Sequence, residues 1–134
     1  MPDAPLSQGI VVGATIDRVE LEITYRRMII NVAGSWDFYA GHHDRDYARQ
    51  QGHPDVFANT SLFLSFADRV ITDWSGPGTR IARRKLTMRL PVHPGDTIYG
   101  EGEVTRVRDG RVDVQLTIGC DRGDCAYVEA TIEL

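Results

Sequence analysis

The stretch from Asn59 to Trp74, NTSLFLSFADRVITDW, constrains the fold more than any other part of the chain. Leu62, Phe63, Leu64, Phe66, Ala67, Val70 and Ile71 cover most of the circumference of a helix rather than one stripe. A helix that is apolar nearly all round belongs inside a protein, not on its surface. Asn59 or Thr60 supplies an N-cap, and Gly76-Pro77-Gly78 stops the helix. Something must therefore wrap around it.

The rest of the chain supplies the wrapping. From residue 79 onward, TRIARRKLTMRLPV, TIYGEGEVTRVRD, RVDVQLTIGC and AYVEATIEL read as strands. The turn signals between them are Pro94-Gly95-Asp96, Asp109-Gly110 and Arg122-Gly123-Asp124. Adjacent hairpins make such a sheet antiparallel. Upstream, RVELEI (18–23) alternates as a short strand does. Thr24 can cap a helix with Met28, Ile29, Val32 and Ala33 on one face, ended by Gly34, and a short polar helix fits His43 to Gln51. The expected class is α+β: a single domain over residues 1–134, with an antiparallel sheet wrapped around a long central helix, the geometry called a hotdog. Residues 1–8 are the expected loose end.

Charge and cysteine usage narrow the function. Fifteen Lys and Arg against nineteen Asp and Glu give a net charge of −4, which argues against nucleic acid as a partner. No apolar run approaches the ~20 residues that a bilayer span needs, and MPDAPLSQGIVVGAT lacks the pattern of a signal peptide. Cys120 and Cys125 could face each other across a hairpin, but two cysteines are too few for a disulfide framework. Free thiols in a cytoplasmic protein are the expectation, with no metal-ligand spacing in view.

Residues 36–48, WDFYAGHHDRDYA, carry the chemistry. Asp37-Phe38-Tyr39-Ala40-Gly41-His42 is followed by His43-Asp44-Arg45-Asp46-Tyr47-Ala48. This resembles the signature of the MaoC-like, (R)-specific enoyl-CoA hydratases, in which Asp-x-Asn-Pro-apolar-His precedes x-Asp-x-x-Tyr-Ala. Gly52-His53-Pro54, Thr72-Asp73-Trp74 and Val92-His93-Pro94-Gly95-Asp96-Thr97 fall where that family has similar elements. The departures are Tyr39 for the family Asn, Ala40 for its Pro, Gly41 for its apolar residue, and Asn59-Thr60 where many members have His-Gly. The set is similar to that of small MaoC-type subunits of heteromeric hydratases acting on acyl-CoA thioesters with steroid side chains. Those subunits carry a His-His-Asp run and an Asn before the helix.

The resemblance implies a hydro-lyase that adds water to a trans-2-enoyl thioester. Asp37 would activate the water and His42 would orient it, as an acid–base pair requires. The N–H near Thr60, at the head of the long helix, would hold the oxyanion, flanked by Asn59 and Tyr39. A Thr side chain at position 60 narrows the approach. No cofactor is implied, because coenzyme A is part of the substrate. The partner would be a second copy or a related hotdog protein, with the acyl tunnel between subunits. Arg83, Arg84 and Lys85 could meet the phosphates of coenzyme A or could simply be a charged strand edge. His43 reads as solvent-facing or helix-capping, Asp44 and Asp46 suit a helix N-terminus, and Trp36 and Trp74 suit core or pocket wall. Two rival readings remain. One is an acyl-CoA thioesterase, for which Asp68 is the main acid on the long helix. The other is a non-catalytic acyl-binding partner, favoured by Tyr39 and Thr60.

Overall fold

The computed structural model describes residues 9–134, so the expectation for residues 1–8 lies outside the described residues. In chain order it has β1 (Thr15–Glu22), α1 (Tyr25–Ser35), a short 3-10 turn (Ala40–His42), α2 (Arg45–Gln50) and α3 (Thr60–Ser75), then β2 (Arg80–Met88), β3 (Thr97–Arg108), β4 (Arg111–Cys120) and β5 (Gly123–Glu133). All neighbours in the sheet are antiparallel, in the order β1-β3-β4-β5-β2. Asn59 caps α3, its side-chain oxygen accepting the Leu62 N–H at 2.9 Å. Leu62, Phe63, Phe66, Ala67, Val70 and Ile71 are buried and share one core with Ile98, Leu116, Ile118, Val128 and Ile132 of the sheet. This is the hotdog arrangement. The helix can lie close to β3 because Gly100 has no side chain: a Cβ there would sit 2.7 Å from Val70 Cγ2.

Several local details differ from the sequence reading. Helix α1 runs through Gly34 to Ser35, and Trp36, not a glycine, takes the left-handed conformation that ends it (φ 57°). Ser35 accounts for the extension by one residue, since its Oγ donates to the Asn31 carbonyl at 2.7 Å and accepts from Asn59 Nδ2 at 3.0 Å. The last turn of α1 is thus tied to the cap of α3. Trp36 is 81% exposed and so is neither core nor wall, whereas Trp74 packs against the core. Met28 and Val32 form the buried face of α1, while Ile29 and Ala33 face outward. The last hairpin turns at Asp121-Arg122 rather than at Arg122-Gly123-Asp124, because Cys120 already pairs with Gly123. Cys120 and Cys125 are unbridged and buried, with Sγ atoms 3.4 Å apart, and burial pushes the Cys125 thiol up to about 12.

The connection from β2 to β3 is clasped to that hairpin tip. The Asp96 carboxylate accepts the His93 N–H at 2.9 Å and the Arg122 guanidinium at 2.9 Å, while Arg122 also donates to the Pro91 carbonyl at 2.9 Å. Burial by itself would raise the Asp96 pKa, but Arg122 and the His93 N–H outweigh it and the net shift is downward. Burial lowers His93 from its ordinary 6.5, helped by the charge of His53. An unfolded chain takes up a proton below pH 6.5 that folded His93 still refuses, so acid favours unfolding from there down to the lowered folded value. Replacing His93→Gln should therefore flatten the fall of Tm below pH 6.5, measured by thermal denaturation across that range.

Candidate active site

Helix α1 delivers the first functional residue. The left-handed Trp36 turns the chain out of the helix, and Asp37 follows at once. Phe38 and Tyr39 lead into the 3-10 turn, whose last residue is His42. His42 is 9% exposed, and its Nδ1 lies 2.7 Å from the Phe57 carbonyl oxygen. A carbonyl only accepts, so Nδ1 carries the hydrogen and donates. In the neutral ring, Nε2 is left with its lone pair, 3.5 Å from Asp37 Oδ2. Two acceptors at that distance are too close for a water between them, but a water on the cavity side of the pair can donate to both.

Gly41 makes this geometry possible. A Cβ at position 41 would fall 2.6 Å from two carbons of the Phe57 ring. The Phe57 N–H also donates to the Gly41 carbonyl at 3.1 Å, so backbone and ring are held together at this point. The Gly in place of the family's apolar residue is thus explained by Phe57. Gly41→Ala should push Phe57 away from His42, costing ~1–3 kcal/mol of stability by overpacking and most of any activity that depends on His42. Denaturant unfolding and a side-by-side rate assay would check both.

The head of α3 closes the other side. Asn59 is 2% exposed: besides capping, its Oδ1 accepts from Asn31 Nδ2 at 2.7 Å. Thr60 is exposed, and among the described residues no backbone carbonyl outside the helix takes its N–H. Its hydroxyl approaches Met88 Sδ at 4.0 Å across the mouth of a cavity of about 250 Å³. That cavity is lined by Asp37, His42, Asn59 and Thr60 together with Phe57, Phe63 and the segment from Met88 to Pro91. Such a site offers two proton-handling groups, room for a water, and the positive end of a helix for a developing oxyanion.

Comparison with known proteins fits this geometry. Residues 8–121 match the MaoC like domain. The chain belongs to the MaoC-like family. It is 36% identical over 124 residues to the 3-oxo-4,17-pregnadiene-20-carboxyl-CoA hydratase beta subunit of Mycobacterium tuberculosis, covering 92% of this chain and 95% of that protein. Among solved structures, a chain of the ChsH1-ChsH2 complex from Mycobacterium tuberculosis superposes with a TM-score of 0.90 at 31% identity, covering 92% of this chain and 98% of that one. R-hydratase PhaJ1 from Pseudomonas aeruginosa superposes with a TM-score of 0.87 at 25% identity, covering 95% and 83% respectively.

Other predicted residues of this MaoC-like chain lie apart from the cavity. Tyr39 is half exposed; its ring meets His42 edge-on at 5.3 Å and its hydroxyl is 3.3 Å from that of Tyr47. His43 Nε2 lies 3.0 Å from the Phe38 carbonyl, outside the cavity. Asp44, not His43, caps α2 by accepting the Tyr47 N–H at 3.1 Å. Arg84 pairs with Asp68 on α3, and strand alternation puts Arg83 and Lys85 on the opposite face of β2. None of the three lines the cavity; Arg89 does. Sequence reasoning missed Arg89, Phe57 and the Asn31–Ser35 bridge. Arg89 had a signal, since it stands just beyond a strand end before Val92-His93-Pro94. Phe57 had none, because it acts partly through a backbone carbonyl. Among the described residues no group of three or more His, Cys, Asp or Glu could hold a metal ion, and no helix is long and apolar enough to cross a membrane.

Proposed function

We propose that this chain is the catalytic subunit of a heteromeric, (R)-specific enoyl-CoA hydratase. The observation that carries the reading is the pair of acceptors, His42 Nε2 and Asp37 Oδ2, 3.5 Å apart in one cavity with Thr60. A water held beside the pair on its cavity side loses one proton to Asp37 as its oxygen bonds to the β-carbon of a trans-2-enoyl thioester. His42 Nε2 accepts a hydrogen bond from the water's other O–H and so aims it. The thioester carbonyl becomes enolate-like, held by the Thr60 N–H, and the α-carbon then receives the proton from Asp37. Coenzyme A enters as part of the substrate, and Arg89 at the cavity rim is the cation placed to meet its phosphates. Arg83 and Lys85 would serve only a ligand running over the outer face of the sheet.

The heteromeric part of the proposal rests on the beta subunit that this chain resembles and on an uncovered apolar rim. Trp36 is 81% exposed, Phe38 59%, Tyr39 48% and Met88 52%, all beside or next to cavity residues. A related hotdog chain covering this rim would complete the acyl tunnel, and a bulky acyl group such as a steroid side chain is the proposed substrate class. The contact of Thr60 with Met88 favours one rival, a non-catalytic subunit with its oxyanion site obstructed. Assaying the purified chain alone and mixed with a genomically adjacent MaoC-like protein separates the two. Loss of enoyl absorbance only in the mixture, abolished by changes in this chain, is the expected result. Release of free thiol with the enoyl absorbance intact would point to a thioesterase and refute the hydratase.

A further inference from the structure

A pair of histidines lies on the far side of Phe57 from His42. His53 Nδ1 and His93 Nε2 are 3.1 Å apart, so one ring N–H donates to the other ring's lone pair. The other face of His53 lies flat on Phe57, with ring centroids 4.1 Å apart and planes 23° from parallel. Phe57 in turn supplies the carbonyl that receives His42 Nδ1–H, and its ring stands edge-on to His42 at 4.9 Å. We propose that His53, anchored by His93, is a positioning residue that holds Phe57 against His42 and so fixes which His42 nitrogen carries the hydrogen. The proposal extends the reading of His42 as a catalytic group.

The anchoring is continuous. The peptide after Phe57 is tied to the same loop, because the Ala58 N–H donates to the Val92 carbonyl at 2.9 Å. His93 is 9% exposed, and its backbone N–H is held by Asp96, itself clasped by Arg122. His53 is fixed on its own backbone by donating to the Ala48 carbonyl at 3.0 Å. Facing the pair are Asp96 and Arg122 from the β2–β3 connection and hairpin tip, and Asp55, which is paired with Arg45. Phe57 is thus gripped from the loop side by a stacked, hydrogen-bonded ring and on the site side by Gly41 and His42. Without His53 the Phe57 ring loses its stacked support and no longer confines the His42 ring 4.9 Å away, so the His42 ring can swing off the Phe57 carbonyl that its Nδ1–H otherwise meets. The Nε2 lone pair that aims the water would then be present in only part of the molecules.

Nitrogen NMR of the histidines in the full chain tests this directly, alongside kcat and KM of the chain assembled with its partner. Wild type should show His42 as a single Nδ1–H tautomer. His53→Ala should give a mixture of both tautomers, with kcat down roughly tenfold and KM changed by less than about twofold, since a small loss of alignment acts on the chemical step. His53→Phe, which keeps the stack but not the bond to His93, should fall between the two and guards against a variant that fails to fold. Unchanged His42 nitrogen signals in both folded variants, whatever happens to the rate, would overturn the proposal. Shifted signals in a chain whose wild type never hydrates an enoyl thioester would uphold the positioning role and refute the hydratase reading instead.

Discussion

Asp37→Asn should leave a folded chain whose proposed hydratase activity, in the assembled enzyme, falls at least ~100-fold, the size expected for losing an acid–base group. The change is nearly isosteric, and the Asp37 side chain is 41% exposed, so its removal costs little stability. The amide does more than remove a base. Its N–H₂ can donate straight to His42 Nε2, the lone pair 3.5 Å away, and so take the acceptor that would aim the water. The loss should therefore fall on kcat, with Tm unchanged within about 2 °C, given that a change of ~1 kcal/mol moves Tm by several degrees in a domain of this size. Steady-state kinetics beside a melting curve will separate the two effects. A fall in both together would mean that Asp37 holds the fold rather than the water.

Asn59→Ala should have the largest effect on stability. Asn59 is 2% exposed and joins two helices: it caps α3 through Leu62, accepts from Asn31 and donates to Ser35. Losing a cap costs ~1 kcal/mol, and each buried polar group left without a partner costs ~1–3 kcal/mol more. A total of roughly 3 kcal/mol follows if the exposed part of Ser35 recovers a water bond. Asn59→Ser keeps a capping oxygen but cannot reach α1, and should lose about two-thirds as much, since the cap it keeps is worth ~1 of the roughly 3 kcal/mol. Denaturant unfolding of both variants measures the split between cap and bridge. The bridge also bears on the site, because it pins the turn of α1 from which Asp37 leaves.

These two residues show what could be read in the sequence. Helix α3 was legible because apolar residues cover most of its circumference, although a stripe through Ser61, Ser65, Arg69 and Asp73 faces outward, and Asn59 was legible as its cap. The hairpins were legible from Asp109-Gly110 and alternation, with the last turn displaced by one residue because Gly123 joins β5. Asp37 and His42 were legible through a family signature, and the fold brings them into one cavity with Asn59 and Thr60. The second role of Asn59, reaching back to Asn31 and Ser35, depends on how α1 crosses α3 and has no local signal. The same holds for Phe57, fifteen residues from His42 and acting partly through its carbonyl. Arg83, Arg84 and Lys85 looked like one cluster because they are adjacent, but strand alternation sends neighbours to opposite faces and Asp68 claims Arg84.

The most direct measurement is the fate of oxygen when the chain and its partner act on a trans-2-enoyl-CoA in heavy-oxygen water. The Asp37–His42 assignment predicts heavy oxygen in a hydroxyl on the β-carbon of an intact thioester, with incorporation lost in Asp37→Asn. Heavy oxygen in a released carboxylate, or undiminished incorporation with Asp37→Asn, would contradict it.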